Sequence, residues 1–138
     1  MELDDQIHEK ITEYCAKGDK LADKQEFNAA IEEYKKAKQL IPAPQSDWDA
    51  TVWVDTAIGD AYFFLADFTQ AADSFQAAYN NEPTNPFILM RLGQSLFELG
   101  DLNRSQEYLL RAYMLEGEEI FEHDHPKYLD FLRSTIDL

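Results

Sequence analysis

Two stretches of this 138-residue chain hold side chains whose types could do chemistry. The first is Glu118-Glu119-Ile120-Phe121-Glu122-His123-Asp124-His125, where imidazole and carboxylate groups could share a divalent metal. His123 and His125 stand two residues apart, however, so on a helix their rings diverge. A solvated helix end running into Pro126 accounts for the same residues. The second is Cys15, the single cysteine, which has no internal disulfide partner and no obvious base beside it. Inside a helix it reads as a small, semi-buried packing residue. There is no glycine-rich phosphate loop and no Gly-x-Ser-x-Gly elbow. The reading is non-enzymatic, with no catalytic residue, no metal and no cofactor.

Charge is the stronger signal. The formal net charge is −15, which disfavours phosphate-backbone binding and docking on anionic membranes. It suits solubility and fast, salt-sensitive capture of cationic partners. Seven of the twelve basic residues fall in the first 38 positions, as on a mixed-charge solvated helix face. From Lys38 to Arg91 there is then no lysine or arginine between the two, while Asp47, Asp49, Asp55, Asp60, Asp67, Asp73 and Glu82 lie there with both tryptophans. The chain opens Met1-Glu2-Leu3-Asp4-Asp5, without a signal-peptide layout, and no apolar run approaches the ~18 residues of a membrane span. These features read as cytoplasmic. The length suits one domain that buries roughly 68% of its unfolded surface.

The elements that hold these residues follow from internal repetition. Gly59, Tyr62, Phe68, Ala71, Phe75 and Ala78 recur 34 residues later as Gly93, Leu96, Leu102, Ser105, Leu109 and Ala112. The same set 41 residues earlier reads Gly18, Leu21, Phe27, Ala30, Tyr34 and Ala37, and Pro42 and Pro83 share that offset. Each unit is a helix hairpin: glycine and alanines allow close approach, large residues fill the gaps, and a proline stops the second helix. Neither helix buries its apolar stripe alone, so the units must stack. The longer offset inserts seven residues between units one and two (41 − 34). Ile41-Pro42-Ala43-Pro44 ends one helix. Ser46 is the expected N-cap of the next, with Asp49 as its capping-box partner, so that helix begins near Asp47. Asp67 and Asp101 are expected caps of second helices, and Asn85 before Pro86 caps the last hairpin.

On these residues the chain resembles the tetratricopeptide repeat family, whose unit is a 34-residue antiparallel helix pair. The resemblance covers residues 11 to about 117 and is fullest from Val52 to Asn85, with Gly59-Asp60-Ala61-Tyr62, Phe68, Ala71, Phe75, Ala78 and Pro83. The third unit departs from the pattern at Ser105 and Gly117, and the first at Lys17. The expected fold is all-α, a right-handed superhelical stack of about seven helices in one domain, 1–138. Repeat one is about 11–44 and repeat two about 52–85, its first helix reaching back to about 47. Repeat three is about 86–119, followed by a capping helix at about 126–137. Tyr128, Leu129, Leu132 and Ile136 give that helix its apolar stripe, and Leu3, Ile7 and Ile11 prolong the first helix backwards.

In the resembling family the first helices of the hairpins line a concave groove for an extended peptide or a partner helix. Transferred residue by residue, that face holds Thr12, Cys15, Asp19 and Ala22 in unit one and Trp53, Thr56, Asp60, Phe63 and Phe64 in unit two. Unit three adds Phe87, Met90, Gln94, Phe97 and Glu98. Ile58, Gly59, Tyr62, Leu92, Gly93 and Leu96 belong to the core instead. An alternative is that the N-terminal extension or the terminal helix folds back and fills the groove. The resemblance implies a protein or peptide partner, and Asp19 and Asp60 make that partner basic or amphipathic. Subtypes that grip the free C-terminal carboxylate of heat-shock chaperones use lysine, arginine and asparagine there. This face offers Cys15, Asp19 and Asp60 with only Arg91 nearby. The expected role is sequestration of a single partner, first as a bacterial immunity protein neutralising a basic toxin. The alternatives are a secretion-type chaperone for an extended client segment, or a structural adaptor. The expected state is a monomer or weak homodimer.

Overall fold

The computed structural model describes residues 4–45 and 48–138, and its regular elements among these are all helical. In chain order they are α1 (Asp5–Asp23), α2 (Phe27–Gln39), α3 (Asp49–Phe64), α4 (Phe68–Asn81), α5 (Pro86–Glu98) and α6 (Leu102–Glu116). A 3-10 turn (Gly117–Phe121) and α7 (Lys127–Thr135) follow. Successive helices pack against one another, α1 on α2, α2 on α3 and onward to α6, which is the topology of a helical-repeat stack.

One contact recurs in each hairpin. A Cβ added to Gly18 would lie 2.5 Å from the Tyr34 ring, one on Gly59 2.9 Å from the Phe75 ring, and one on Gly93 2.8 Å from Leu109. Each glycine therefore gives up its side-chain space to a large residue on the partner helix. The alanines facing them, Ala30, Ala37, Ala71, Ala78 and Ala112, are buried for the same reason. Ser105, which stands where the other units have alanine, is also fully buried, and its hydroxyl donates to the Gly93 carbonyl at 2.7 Å. The small side chain is kept and its one donor is satisfied.

The helix starts follow their capping residues. Asp67 accepts from the Gln70 N–H, Asp101 from the Arg104 N–H, and Asn85 from the N–H groups of Phe87 and Ile88, with Pro86 in the first turn. The third helix behaves differently from its expected form. It starts at Asp49 with Trp48 at the N-cap and no side-chain cap. Leu3, Ser46 and Asp47 lie outside the described residues. The insertion is pinned by other bonds: the Trp48 indole donates to the Pro42 carbonyl at 2.8 Å, and the Gln45 amide donates to Lys38 O at 2.9 Å.

The C-terminal segment closes the stack. Tyr128 and Leu132 of α7 are buried in the same cluster as Phe75, Leu89, Leu96 and Leu109. The Tyr128 hydroxyl donates to Glu98 at 2.8 Å, and Lys127 pairs with the same carboxylate. A cap of this kind covers the apolar face that a further repeat would otherwise bury.

Candidate functional site

The open face of the array lies along α1 and α3. A crevice of about 700 Å³ runs between their C-terminal halves. Asp19, Ala22 and Asp23 form one wall, and Ala57, Asp60, Ala61 and Phe64 form the other. These spacings of three, four and seven place each set on a single helix face. Tyr34 lies at the base, and Phe27 stacks on Phe64 with ring centroids 5.5 Å apart. A second depression of about 380 Å³ is lined by Val52, Trp53, Thr56, Glu82 and Asn85, and shares Ala57 and Asp60 with the first.

Each carboxylate has a defined setting. Asp19 is exposed and accepts from the Tyr34 hydroxyl at 2.6 Å. Burial, and that bond to Asp19, push the Tyr34 hydroxyl far above its usual value, so it remains a donor. Asp60 accepts from Arg91 Nε at 3.0 Å. Burial nevertheless raises its carboxyl above the ordinary range, against the opposing pull of Arg91. Asp55 is not on this face: it is buried and takes a 2.7 Å bond from Lys38. The two bases that bracket the basic-free window thus both fold back onto it, Lys38 to Asp55 and Arg91 to Asp60.

Arg91 organises the far end of the face. Its guanidinium donates to Asp124 at 2.7 Å and to Gln94 Oε1 at 2.8 Å, besides Asp60. It also lies 5.0 Å from the Phe63 ring, 5.5 Å from Phe64 and 5.1 Å from Phe87. Phe63 and Phe87, expected as free contact surface, are half-buried around this cation. Met90 and Gln94 are corrected outright, at 2% and 0% exposure, because both face the core or Arg91. Phe97 is covered by α7, its ring 5.5 Å from Tyr128 and 5.0 Å from Phe131. The terminal helix therefore occupies unit three's share of the face.

What stays accessible is concentrated in units one and two. Trp53 is 39% exposed and meets His8 edge-on, and Phe64 is 55% exposed. Thr56 is half-buried with its hydroxyl bonded to Val52 O, so it offers little beyond its methyl group. Asp23, Phe27 and Glu82 also line the face, although the residue transfer left them out. Asp23 and Glu82 sit at or just past the last turn of their helices, positions a register drawn on mid-helix residues does not reach.

The chemistry of the remaining candidates is plain. Burial, then Asp19, push the Cys15 thiol up to about 11, so it is almost wholly protonated at neutral pH. His125 Nδ1 accepts from the Lys127 N–H at the start of α7, and Glu118 pairs with Arg133. Among the described residues no group of three or more His, Cys, Asp or Glu side chains is placed to hold a metal ion. No described helix is long and apolar enough to cross a membrane.

Stacked antiparallel helix pairs, glycine against large residue in each, with first helices lining one open face, define an α-helical repeat solenoid. Comparison with known proteins makes this specific. The tetratricopeptide repeat family model matches residues 14–44 and 88–119. Among solved structures, the first TPR of Spaghetti (RPAP3), bound to the HSP90 peptide SRMEEVD, is similar at 22% identity and a TM-score of 0.71. That match covers 91% of this chain and 90% of that one. The C-terminal TPR-containing domain of a putative FK506-binding protein from Plasmodium falciparum is similar at 18% identity and a TM-score of 0.79, over 96% and 90% of the two chains. No curated protein sequence matches. Two segments of the chain thus match the tetratricopeptide repeat model, and the array as a whole has the fold of tetratricopeptide repeat structures.

Proposed function

We propose that this chain is a non-catalytic protein-binding module that captures one basic protein partner on the open face of its first two hairpins. A single observation carries the reading. Both depressions on that face are lined by carboxylates, Asp19, Asp23 and Asp60 in one and Asp60 and Glu82 in the other, and no lysine, arginine or histidine lines either among the described residues. The similar Spaghetti domain was solved with SRMEEVD, a peptide with two glutamates and a terminal aspartate. Walls of carboxylate repel such a tail and attract its opposite. Asp19, Trp53, Thr56, Asp60 and Phe64 are the proposed contact residues, Trp53 and Phe64 as exposed aromatic anchors.

Opposite charge speeds encounter, and aromatic packing slows release. That combination suits sequestration, and neutralisation of a basic toxin by a bacterial immunity protein is the use it fits best. A native pull-down with the tagged chain tests this. It is expected to recover one basic polypeptide whose affinity falls steeply with salt. Trp53→Ala is expected to weaken that complex by about 2 kcal/mol, roughly 30-fold, mainly through faster dissociation. An acidic partner, or affinity untouched by Trp53→Ala and Asp19→Asn together, overturns the assignment.

A further inference from the structure

We infer that the crevice between α1 and α3 seats one lysine or arginine side chain of the partner, and so fixes the register of the partner's extended segment; this rests on the basic-partner reading above. The shape argues first. Ala22, Ala57 and Ala61 keep the walls shallow, Tyr34 forms the base, and Phe27 stacked on Phe64 flanks one end. The apolar part of this channel suits a long methylene stem, and a charged tip is needed to meet the acidic part.

Charge argues second. The Tyr34 hydroxyl orients Asp19 without neutralising it. Asp23 has no hydrogen bond or ion pair to any side chain among the described residues, so its carboxylate is open to an incoming cation. Arg91, which does not line the crevice, engages one oxygen of Asp60. α1 ends at Asp23 and α3 at Phe64, so the negative ends of two helix dipoles converge on the crevice. A purely apolar side chain entering here leaves carboxylates desolvated and unpaired, and an anionic one is repelled. A segment lying over α3 passes Ala57 and Asp60, which both depressions share. Side chains two positions apart on an extended strand are about 6.8 Å apart and share a face, so a second residue reaches Trp53 and Glu82.

The test is an amide-shift titration of the ¹⁵N-labelled full chain with four blocked pentapeptides, Ala-Leu-X-Leu-Ala, where X is lysine, arginine, norleucine or glutamate. The basic peptides are expected to shift the amides of Asp19, Ala22, Asp23, Ala57 and Ala61 at millimolar concentration. The norleucine and glutamate peptides are expected to bind at least about tenfold more weakly. Ala22→Leu, which fills the crevice alone, should weaken the basic peptides by a similar factor. So should Asp19→Asn with Asp23→Asn, which adds no bulk and keeps an acceptor for Tyr34. Equal binding of norleucine and lysine peptides, no shifts with the basic peptides, or shifts confined to Trp53, Glu82 and Asn85 overturns the inference. If the pulled-down partner remains salt-sensitive while both crevice variants bind it normally, the crevice assignment falls and the basic-partner reading stands.

Discussion

Asp60 shows why an ion pair is not automatically a stabilising one. It faces Arg91 at 3.0 Å, yet burial wins and its carboxyl titrates above the ordinary value of 3.8. A carboxyl raised in the folded state binds its proton there more readily than in the unfolded chain. Its contribution is therefore fully present in acid and is lost as pH rises through the folded-state value. Asp60→Asn keeps an oxygen acceptor for Arg91 Nε, while Asp124 still balances the guanidinium. The melting temperature of this variant, relative to the parent, should rise as pH goes from acid to neutral and converge in acid. Thermal melts of both proteins across the carboxylate range check this, and the opposite trend refutes it. Cys15 offers a second test. A thiol at about 11 against an ordinary 9.0 should alkylate roughly a hundredfold more slowly than a free cysteine at neutral pH. Iodoacetamide kinetics on the native chain, faster only on unfolding or near pH 11, would match that expectation. Rapid labelling at pH 7 would not.

At the scale of helices and turns, glycine and alanine should exchange with opposite signs at two positions. The hairpin turns after α3 and α5 place Ala66 at φ 60° and Gly100 at φ 84°. A left-handed residue with a Cβ costs roughly 1–2 kcal/mol, more than the unfolded-chain entropy that glycine adds. Ala66→Gly is thus expected to stabilise by up to about 1 kcal/mol. Gly93→Ala should destabilise by about 1–3 kcal/mol, since its Cβ would meet Leu109 Cγ at 2.8 Å and the Leu109 N at 3.1 Å, a backbone atom with little freedom to retreat. Chemical denaturation of the two variants against the parent decides both signs. The glycine contacts are legible in the sequence because each glycine lies at a fixed offset from its large partner: 18 and 34, 59 and 75, 93 and 109. The capping residues Asp67, Asn85 and Asp101 were legible for the same local reason. The open face was only partly so. Periodicity says which side of α5 holds Met90, Gln94 and Phe97, but not that α7 and the Asp124 segment return to cover that side. The fates of Lys38 and Arg91 were hidden too, because their partners stand 17 and 31 residues away along the chain and belong to neighbouring hairpins.

For the whole molecule, a net charge of −15 sets two salt responses of opposite sign. Among the described residues most carboxylates take part in no ion pair, so the folded chain repels itself more than the expanded one does. The pairs with at least one side chain shielded from solvent, Lys38 with the buried Asp55 and the buried Arg91 with Asp60 and Asp124, are screened less by salt than exposed pairs. The exposed ones, Lys36 with Glu33 and Arg104 with Asp101, contribute little to begin with. Screening should therefore relieve repulsion faster than it weakens attraction. Raising sodium chloride from about 0.01 to 1 M shortens the screening length from ~30 to ~3 Å. The melting temperature of the free chain should climb, by roughly 4 °C for each ~1 kcal/mol relieved. Chloride is the right anion for the test, since sulfate stabilises proteins by exclusion from their surface regardless of charge. Over the same range the proposed basic partner should bind progressively more weakly, because its attraction is what salt screens. Stability and affinity moving in opposite directions on one salt axis is the signature of an acidic face held open against its own repulsion. A melting temperature that falls with chloride would show instead that ion pairs across the hairpins hold the array together.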